Sequence, residues 1–212
     1  MSFLHHVQHP VLLDRITRLR DRTTGQSLFT RLLEQASLIL AVEATRDLAL
    51  QSTSIVTPLE AAPGAILAQP AVLVPVLRAG LGMLPPFRSL LPDAAVSFVG
   101  ALRGKETLEA SIYLDRVSPL PSGANVLLLD PMLATGGTAD TVLALLKKRG
   151  AGAIRLVCCI ASPEGIHRLH ETHPDITVYA GAVDRELDAR GFILPGLGDA
   201  GDRQFGGSSE LA

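Results

Sequence analysis

At 212 residues, with nineteen basic and twenty-one acidic side chains and a formal charge of −2, the chain has no global field drawing it to nucleic acid or an anionic membrane. Any anion it binds must be met locally. It is long enough for one good-sized domain with its own core, and 47% hydrophobic against 19% charged residues, with a mean hydropathy of +0.31, predicts apolar surface covered in a homodimer or higher homo-oligomer.

In chain order, the opening MSFLHHVQHP lacks a basic segment followed by an apolar core, and no run approaches the roughly 18 apolar residues of a membrane span, so a cytoplasmic protein is expected. Val11 to Arg22 reads as a helix, Thr23-Thr24-Gly25 as a break, and Ser27 to Leu50 as a long amphipathic segment. The apolar stripe of that segment is read as Leu28, Leu32, Ala36, Ile39, Leu40 and Val42. Gln51 to Ala71 is less regular, with β-prone Ser54 to Thr57 and turn-forming Pro58, Pro63 and Gly64, and predicts a strand or hairpin. From Val72 a regular alternation begins: strand VLVPVL, helix from Leu81 to Leu91, strand AAVSFVGAL, strand NVLLLD with its helix, strand AIRLVCCI, helix EGIHRLHETH and strand ITVYAGAV. Such alternation predicts an α/β fold, a Rossmann-like parallel sheet flanked by helices with right-handed crossovers. Gly104 to Pro121 interrupts it with charge and reads as a loop and projecting β-arm. Adjacent Cys158 and Cys159 lie in an apolar run and read as core rather than as a disulfide framework or metal site.

The chemistry concentrates at strand ends, where open parallel sheets bind ligands. Val126 to Leu129 form an apolar strand ending at Asp130, and Ala134-Thr135-Gly136-Gly137-Thr138 then opens a helix. Glycines allow close backbone approach, and a helix start offers unpaired N–H donors and a positive dipole end, so a phosphate is expected there. The loop is neither GxxxxGK[ST] nor GxGxxG. Arg78, followed by two glycines before a helix, suits a bidentate anion clamp. The pattern around Arg103, Gly104 and Lys105 reads by itself as a solvated loop. His167, His170 and His173, spaced by three, lie near one another on a helix and could in principle bind a metal, but an ordinary helix face is the stronger reading, and Asp184 stays open between structural acid and site-facing group. The tail from Gly191 to Gly206 combines five glycines with Phe192, Ile193, Leu194 and Leu197, which predicts an ordered loop bringing backbone groups to a ligand.

NVLLLDPMLATGGTAD resembles the phosphoribosyl-pyrophosphate (PRPP) loop of the type I phosphoribosyltransferases, with one departure: Pro131 stands where a second acid is usual. Within that superfamily DPMLATGG, VPVLRAGLGM and PGLGDAGD are all similar to the uracil phosphoribosyltransferases, and the matching motifs run from about Val72 to Gly206. The resemblance implies transfer of the 5-phosphoribosyl group of PRPP to N1 of uracil, giving UMP and pyrophosphate. It implies one domain over 1–212, with N-terminal helices and an irregular segment in 1–70, the core sheet in 71–185 and a base-binding hood in 186–206. Arg78 and Arg103 would hold pyrophosphate and Asp130 the ribose hydroxyls; Pro131, Met132 and Leu133 would bind PRPP, with Ala134, Thr135, Gly136, Gly137 and Thr138 fixing its 5′-phosphate. Ile193, Gly198, Asp199 and Ala200 would contact uracil, with Asp199 also approaching PRPP or its metal and helping N1 lose its proton. Mg²⁺ is expected through PRPP and water, with no protein ligand assigned, and GTP is a possible effector although no guanine motif is visible. Relatives commonly have Tyr where Phe192 stands, so ring packing is retained and any hydroxyl contact is not. The 106–121 arm could pair with a second subunit. A phosphoribosyltransferase for another base is disfavoured by the tail, and an RNA-binding regulator on the same fold by the lack of a basic face.

Overall fold

The computed structural model describes residues 3–103 and 110–207. A short strand β1 (Leu4–His6) leads into α1 (Pro10–Arg20), started by Pro10 at its first position and by the His9 ring accepting the Val11 N–H. The long helix α2 (Gln26–Thr45) follows, then the hairpin β2 (Leu50–Val56) and β3 (Ala61–Leu67). Next come β4 (Ala71–Leu77), a 3₁₀ turn over Ala79–Met83, α3 (Leu84–Leu90), β5 (Ala95–Val96), β6 (Phe98–Arg103) and β7 (Ala110–Arg116). The phosphate-loop unit is β8 (Asn125–Leu129), β9 (Met132–Leu133) and α4 (Gly137–Lys148), and β10 (Ile154–Ala161), α5 (Pro163–Thr172) and β11 (Thr177–Val183) complete the alternation. The tail folds into a small hairpin, β12 (Glu186–Leu187) with β13 (Ile193–Leu194), and the short helix α6 (Ala200–Phe205).

The main sheet runs β1-β11-β10-β8-β4-β6-β7, parallel except where β7 lies antiparallel to β6. Its central strands are apolar throughout because helices cover both faces. Side chains alternate between them. Leu127, Leu129, Val157 and Cys159 pack with Leu12, Leu19, Phe29, Leu33, Leu40 and Phe87 of α1, α2 and α3. Val126, Leu128, Leu156 and Cys158 pack with Val142, Leu143, Leu146 and Leu169 of α4 and α5. From β4 the chain builds outward to β6 and β7, then returns to place β8 on the other side of β4. That reversal opens a crevice beyond the carboxyl ends of β4 and β8, the usual ligand position in such sheets. No helix among the described residues is long and apolar enough to cross a membrane.

Three expectations need correction. The buried face of α2 is Phe29, Leu32, Leu33, Ala36, Leu40, Ala41 and Ala44, whereas Leu28 and Val42 are exposed. This helix is apolar almost all round, so its periodicity could not set its phase; it also ends at Thr45, before β2. The helix expected from Leu81 is a 3₁₀ turn followed by α3, with Pro at the start of the α-helical part. The third correction concerns the arm. Residues 110–116 are extended as expected of an arm, but they do not project: they form the sheet-edge strand β7, whose Ala110, Ile112 and Leu114 are partly buried in alternation. Asp115 and Arg116 had masked that period. What stands out from the sheet is the β2–β3 hairpin, a separate two-stranded sheet whose tip leaves Val56 86% and Leu59 95% exposed. Residues 104–109, and Lys105 with them, lie outside the described residues, and of Arg103 only the backbone is described.

Candidate active site

The carboxyl ends of β4 and β8, the phosphate loop and the tail surround one cleft of about 1200 Å³. After β8, Asp130 N–H donates to Val157 O, and Pro131 O accepts from Cys159 and Ile160. This keeps the loop registered on β10 until β9 rejoins it. Gly136 then turns with φ +76°, a left-handed conformation that favours glycine. A Cβ there would also press on Arg168 and on Gly165 O, each at 3.2 Å. The turn delivers the start of α4, and Gly137, Thr138 and Ala139 line the cleft. With glycine at its N-cap, α4 has no capping side chain of its own, so its first-turn donors and dipole suit an incoming phosphate. Behind the loop, Asp140 takes Arg168 at 2.8 Å and His173 at 2.9 Å, tying α4 to α5.

Asp130 lies at the cleft, and among the described residues no cation pairs with it. Burial pushes its carboxyl up to about 7, opposed only by acceptance from Met132 N–H at 3.4 Å. Arg78 ends the β4 connection, and its Nη2 donates to Asp202 Oδ1 at 2.9 Å. The backbone turns sharply here: a Cβ on Gly80 would sit 2.3 Å from Leu129 O. The loop after β4 therefore lies directly across the end of β8, which places Arg78 and Asp130 on one cleft.

The tail is ordered by long-range polar contacts. Asp184, just after β11, accepts from Arg20 through both oxygens, at 2.7 and 2.5 Å, and from Gly196 N–H at 3.0 Å, while Arg20 also donates to Gly196 O at 2.8 Å. Asp184 is thus a structural acid that sets the Pro195–Gly196 turn. Asp188 Oδ1 accepts from Arg190 and Phe192 N–H and closes the turn between β12 and β13. The Arg190 guanidinium lies 5.3 Å from the centre of the Phe192 ring, at the cleft. Asp199 is the N-cap of α6, its Oδ1 accepting from Asp202 N–H at 2.9 Å.

Most of the expected residues meet on this one cleft: Arg78, Asp130, Met132, Leu133, Ala134, Thr135, Gly136, Gly137, Thr138, Ile193, Gly198 and Asp199. Two do not. Pro131 is buried beneath the loop and its carbonyl is spent on β10. Ala200 is fully buried in the core because α6 turns its methyl inward. His167 pairs with Glu171, His170 meets the edge of Phe3 and His173 turns to Asp140, so the three histidines do not converge. Tyr113, which the motifs did not single out, lines the cleft from β7 with its ring over Gly100, where a Cβ would collide at 2.4 Å.

The family model for uracil phosphoribosyltransferase matches residues 6–207. The uracil phosphoribosyltransferase of Oceanobacillus iheyensis is 44% identical over 93% of this chain and 95% of its own length. That of Clostridium tetani is 44% identical over 97% and 99%. A solved structure of a protein from Aquifex aeolicus superposes with a TM-score of 0.93 at 35% identity, covering 97% of this chain and 99% of that one. A hypoxanthine-guanine phosphoribosyltransferase from Bacillus anthracis, at 16% identity and a TM-score of 0.52 over 75% and 80%, shares the fold alone.

Proposed function

The chain belongs to the uracil phosphoribosyltransferase family, and from that premise we propose how its cleft transfers the 5-phosphoribosyl group of PRPP to N1 of uracil, releasing UMP and pyrophosphate. It is a pentosyltransferase of pyrimidine salvage. The observation that carries the site assignment is that the uncapped start of α4, the Asp130 carboxyl and the glycine-rich tail open onto one cleft.

In this reading the start of α4 takes the 5′-phosphate and Asp130 accepts from the ribose hydroxyls. Arg78 takes the pyrophosphate, a role that the resemblance extends to Arg103. The hood, 186–206, offers uracil the backbone around Ile193, Gly198 and Asp199. Uracil presents O2, N3–H and O4, so a backbone acceptor for N3–H would reject cytosine; a mispaired buried group costs about 1 to 3 kcal/mol. Phe192 packs beside the base. As the bond to pyrophosphate lengthens, negative charge grows on the leaving group, and the arginines stabilise it while Asp130 and the phosphate loop keep the ribose aligned. No covalent intermediate is required. Asp199 Oδ1 already serves its helix, which leaves Oδ2 as the atom that would take the N1 proton.

No three His, Cys, Asp or Glu side chains gather into a metal cage among the described residues. Of the carboxylates at the cleft, Asp130 and Asp199 are the residues that would help hold an Mg²⁺ ion carried by pyrophosphate and water. When bound, the ion would neutralise charge on the leaving group. Chelation with EDTA is expected to reduce UMP formation to background and added Mg²⁺ to restore it; undiminished turnover in chelator contradicts the assignment.

The assay for the whole reading supplies PRPP and Mg²⁺ with uracil, cytosine, orotate, guanine or hypoxanthine, and measures pyrophosphate and nucleotide. UMP from uracil alone is expected, and a nucleotide from another base but none from uracil overturns the reading. Repeating it with GTP tests the effector expectation.

The apolar tip of the β2–β3 hairpin supports a homo-oligomer in which this arm, rather than 106–121, meets a second copy. Val56→Asp with Leu59→Asp is expected to lower the mass seen by light scattering, and an unchanged mass rules the hairpin out as that contact.

A further inference from the structure

The tail that forms the uracil hood also reaches the residue assigned to the leaving group. Asp202, in the first turn of α6, accepts from Arg78 Nη2 at 2.9 Å, and its side chain is 15% exposed against 58% for Arg78. The carboxylate is the fixed member of the pair. A Cβ on Gly207 would fall 2.2 Å from the Asp202 carboxyl carbon, so the chain leaving α6 closes over that carboxylate without a side chain. A second tie lies two residues on. Gln204, 3% exposed, donates to Ala79 O at 3.0 Å and to Ala200 O at 2.8 Å. Gly82 makes room for it, since a Cβ there would overlap Gln204 Oε1. The backbone after β4 is thus fastened to α6 at two adjacent points.

A guanidinium carries five N–H donors in a planar fork. Asp202 engages one nitrogen, and among the described residues Arg78 has no other polar partner. The rest of the fork stays available at the cleft that Arg78 lines.

We propose that Asp202 is a positioning residue for the departure of pyrophosphate: it holds Arg78 by Nη2 so that the remaining donors meet the leaving group. The proposal rests on the reading of Arg78 as a pyrophosphate ligand. It follows that the grip on pyrophosphate is anchored in the same helix whose first residues border the uracil site, so the hood must be folded before Arg78 is correctly placed.

Steady-state kinetics on Asp202→Ala, Asp202→Asn, Arg78→Ala and the Arg78→Ala/Asp202→Ala double variant test it. Asp202→Ala is expected to raise KM for PRPP, and the inhibition constant of pyrophosphate, by about tenfold, the scale of one charge-assisted hydrogen bond. KM for uracil at saturating PRPP should stay within about twofold. Asp202→Asn keeps an acceptor oxygen at Oδ1 and should recover most of the loss. The double variant should be no worse than Arg78→Ala, because the two side chains act as a unit. If Asp202→Ala does not fold, Asp202→Ser, too short to reach Nη2, is read in its place.

Arg78→Ala with unchanged PRPP kinetics would overturn the Arg78 assignment itself. If Arg78→Ala impairs PRPP use and Asp202→Ala does not, only the positioning role fails. That role also fails if Asp202→Ala tightens PRPP binding, which would make the carboxylate a competitor of pyrophosphate. A rise in KM for uracil equal to that for PRPP, unrelieved by Asn, would likewise reduce Asp202 to a fold-supporting residue.

Discussion

Asp130→Asn lowers kcat/KM for PRPP by roughly 10²-fold, about 2.7 kcal/mol of transition-state stabilisation, in a protein that remains folded. Asparagine keeps the shape and one acceptor oxygen but removes the anion, and hydrogen bonds to an ionised acceptor are roughly twice as strong as neutral ones. The wild-type enzyme should lose kcat/KM by about tenfold per unit of acidification below pH 7, because burial pushes the Asp130 carboxyl up to about 7 and the protonated form cannot accept from two hydroxyls. In Asp130→Asn that acid limb disappears. Initial rates at low PRPP from pH 5.5 to 9 check both statements, and wild-type PRPP kinetics in the variant would remove Asp130 from the site.

The same substitution is expected to stabilise the fold. A carboxyl whose pKa is about 7 when folded and near 3.8 when unfolded holds its proton more tightly in the native state. The contribution of Asp130 to folding stability is therefore greatest below about pH 4, declines as pH rises toward 7 and is flat above. Asp130→Asn should then melt higher than wild type at pH 8, by about 1–3 kcal/mol after allowance for the partial opening of Asp130 to the cleft, and the two should converge at pH 4. Among the described residues no cation pairs with Asp130, so under the proposed ribose role this stability is given up for binding.

Arg203→Ala destabilises the protein by about 3–5 kcal/mol, lowering Tm by about 10 °C. Arg203 is 7% exposed and donates to the carbonyls of Leu19, Leu197, Asp21 and Thr24. Its guanidinium lies 4.3 Å from the centre of the Phe29 ring. Burial draws its pKa below the usual arginine value, with Asp21 opposing. One cation thus terminates α1, receives α2 and holds down α6. Alanine would leave several buried carbonyls without donors, and lysine, a point charge without a planar fork, should recover only part of the loss. Thermal and urea melts, with limited proteolysis of the tail, measure this; a change below about 1 kcal/mol would mean that apolar packing alone seats the hood.

The core sheet and the phosphate loop were legible in the sequence because both are local. VLVPVL, NVLLL and AIRLVCCI read as covered strands, and ATGGT announces a glycine turn before a helix. The order of the tail was legible too, from its glycines beside apolar residues. Contacts between distant parts of the chain were not. Asp184 could not be assigned because its partner, Arg20, lies 164 residues away, and Asp202 passed unnoticed because Arg78 lies 124 away. Periodicity failed where its premise did: α2 is too apolar all round to phase, and charges hid the alternation of β7.

The placement of Cys158 and Cys159, back to back on β10 and fully buried in the two opposite cores, makes the protein its own unfolding clock. Burial pushes the Cys159 thiol up to about 12 and raises Cys158 well above the ordinary thiol range, so at neutral pH the native sheet presents almost no reactive thiolate. An alkylating reagent therefore labels only molecules whose central strand has opened. When reclosing is faster than labelling, the rate of modification reports the fraction of molecules in which each layer of the sheet stands open, and when labelling is faster it reports the rate of opening.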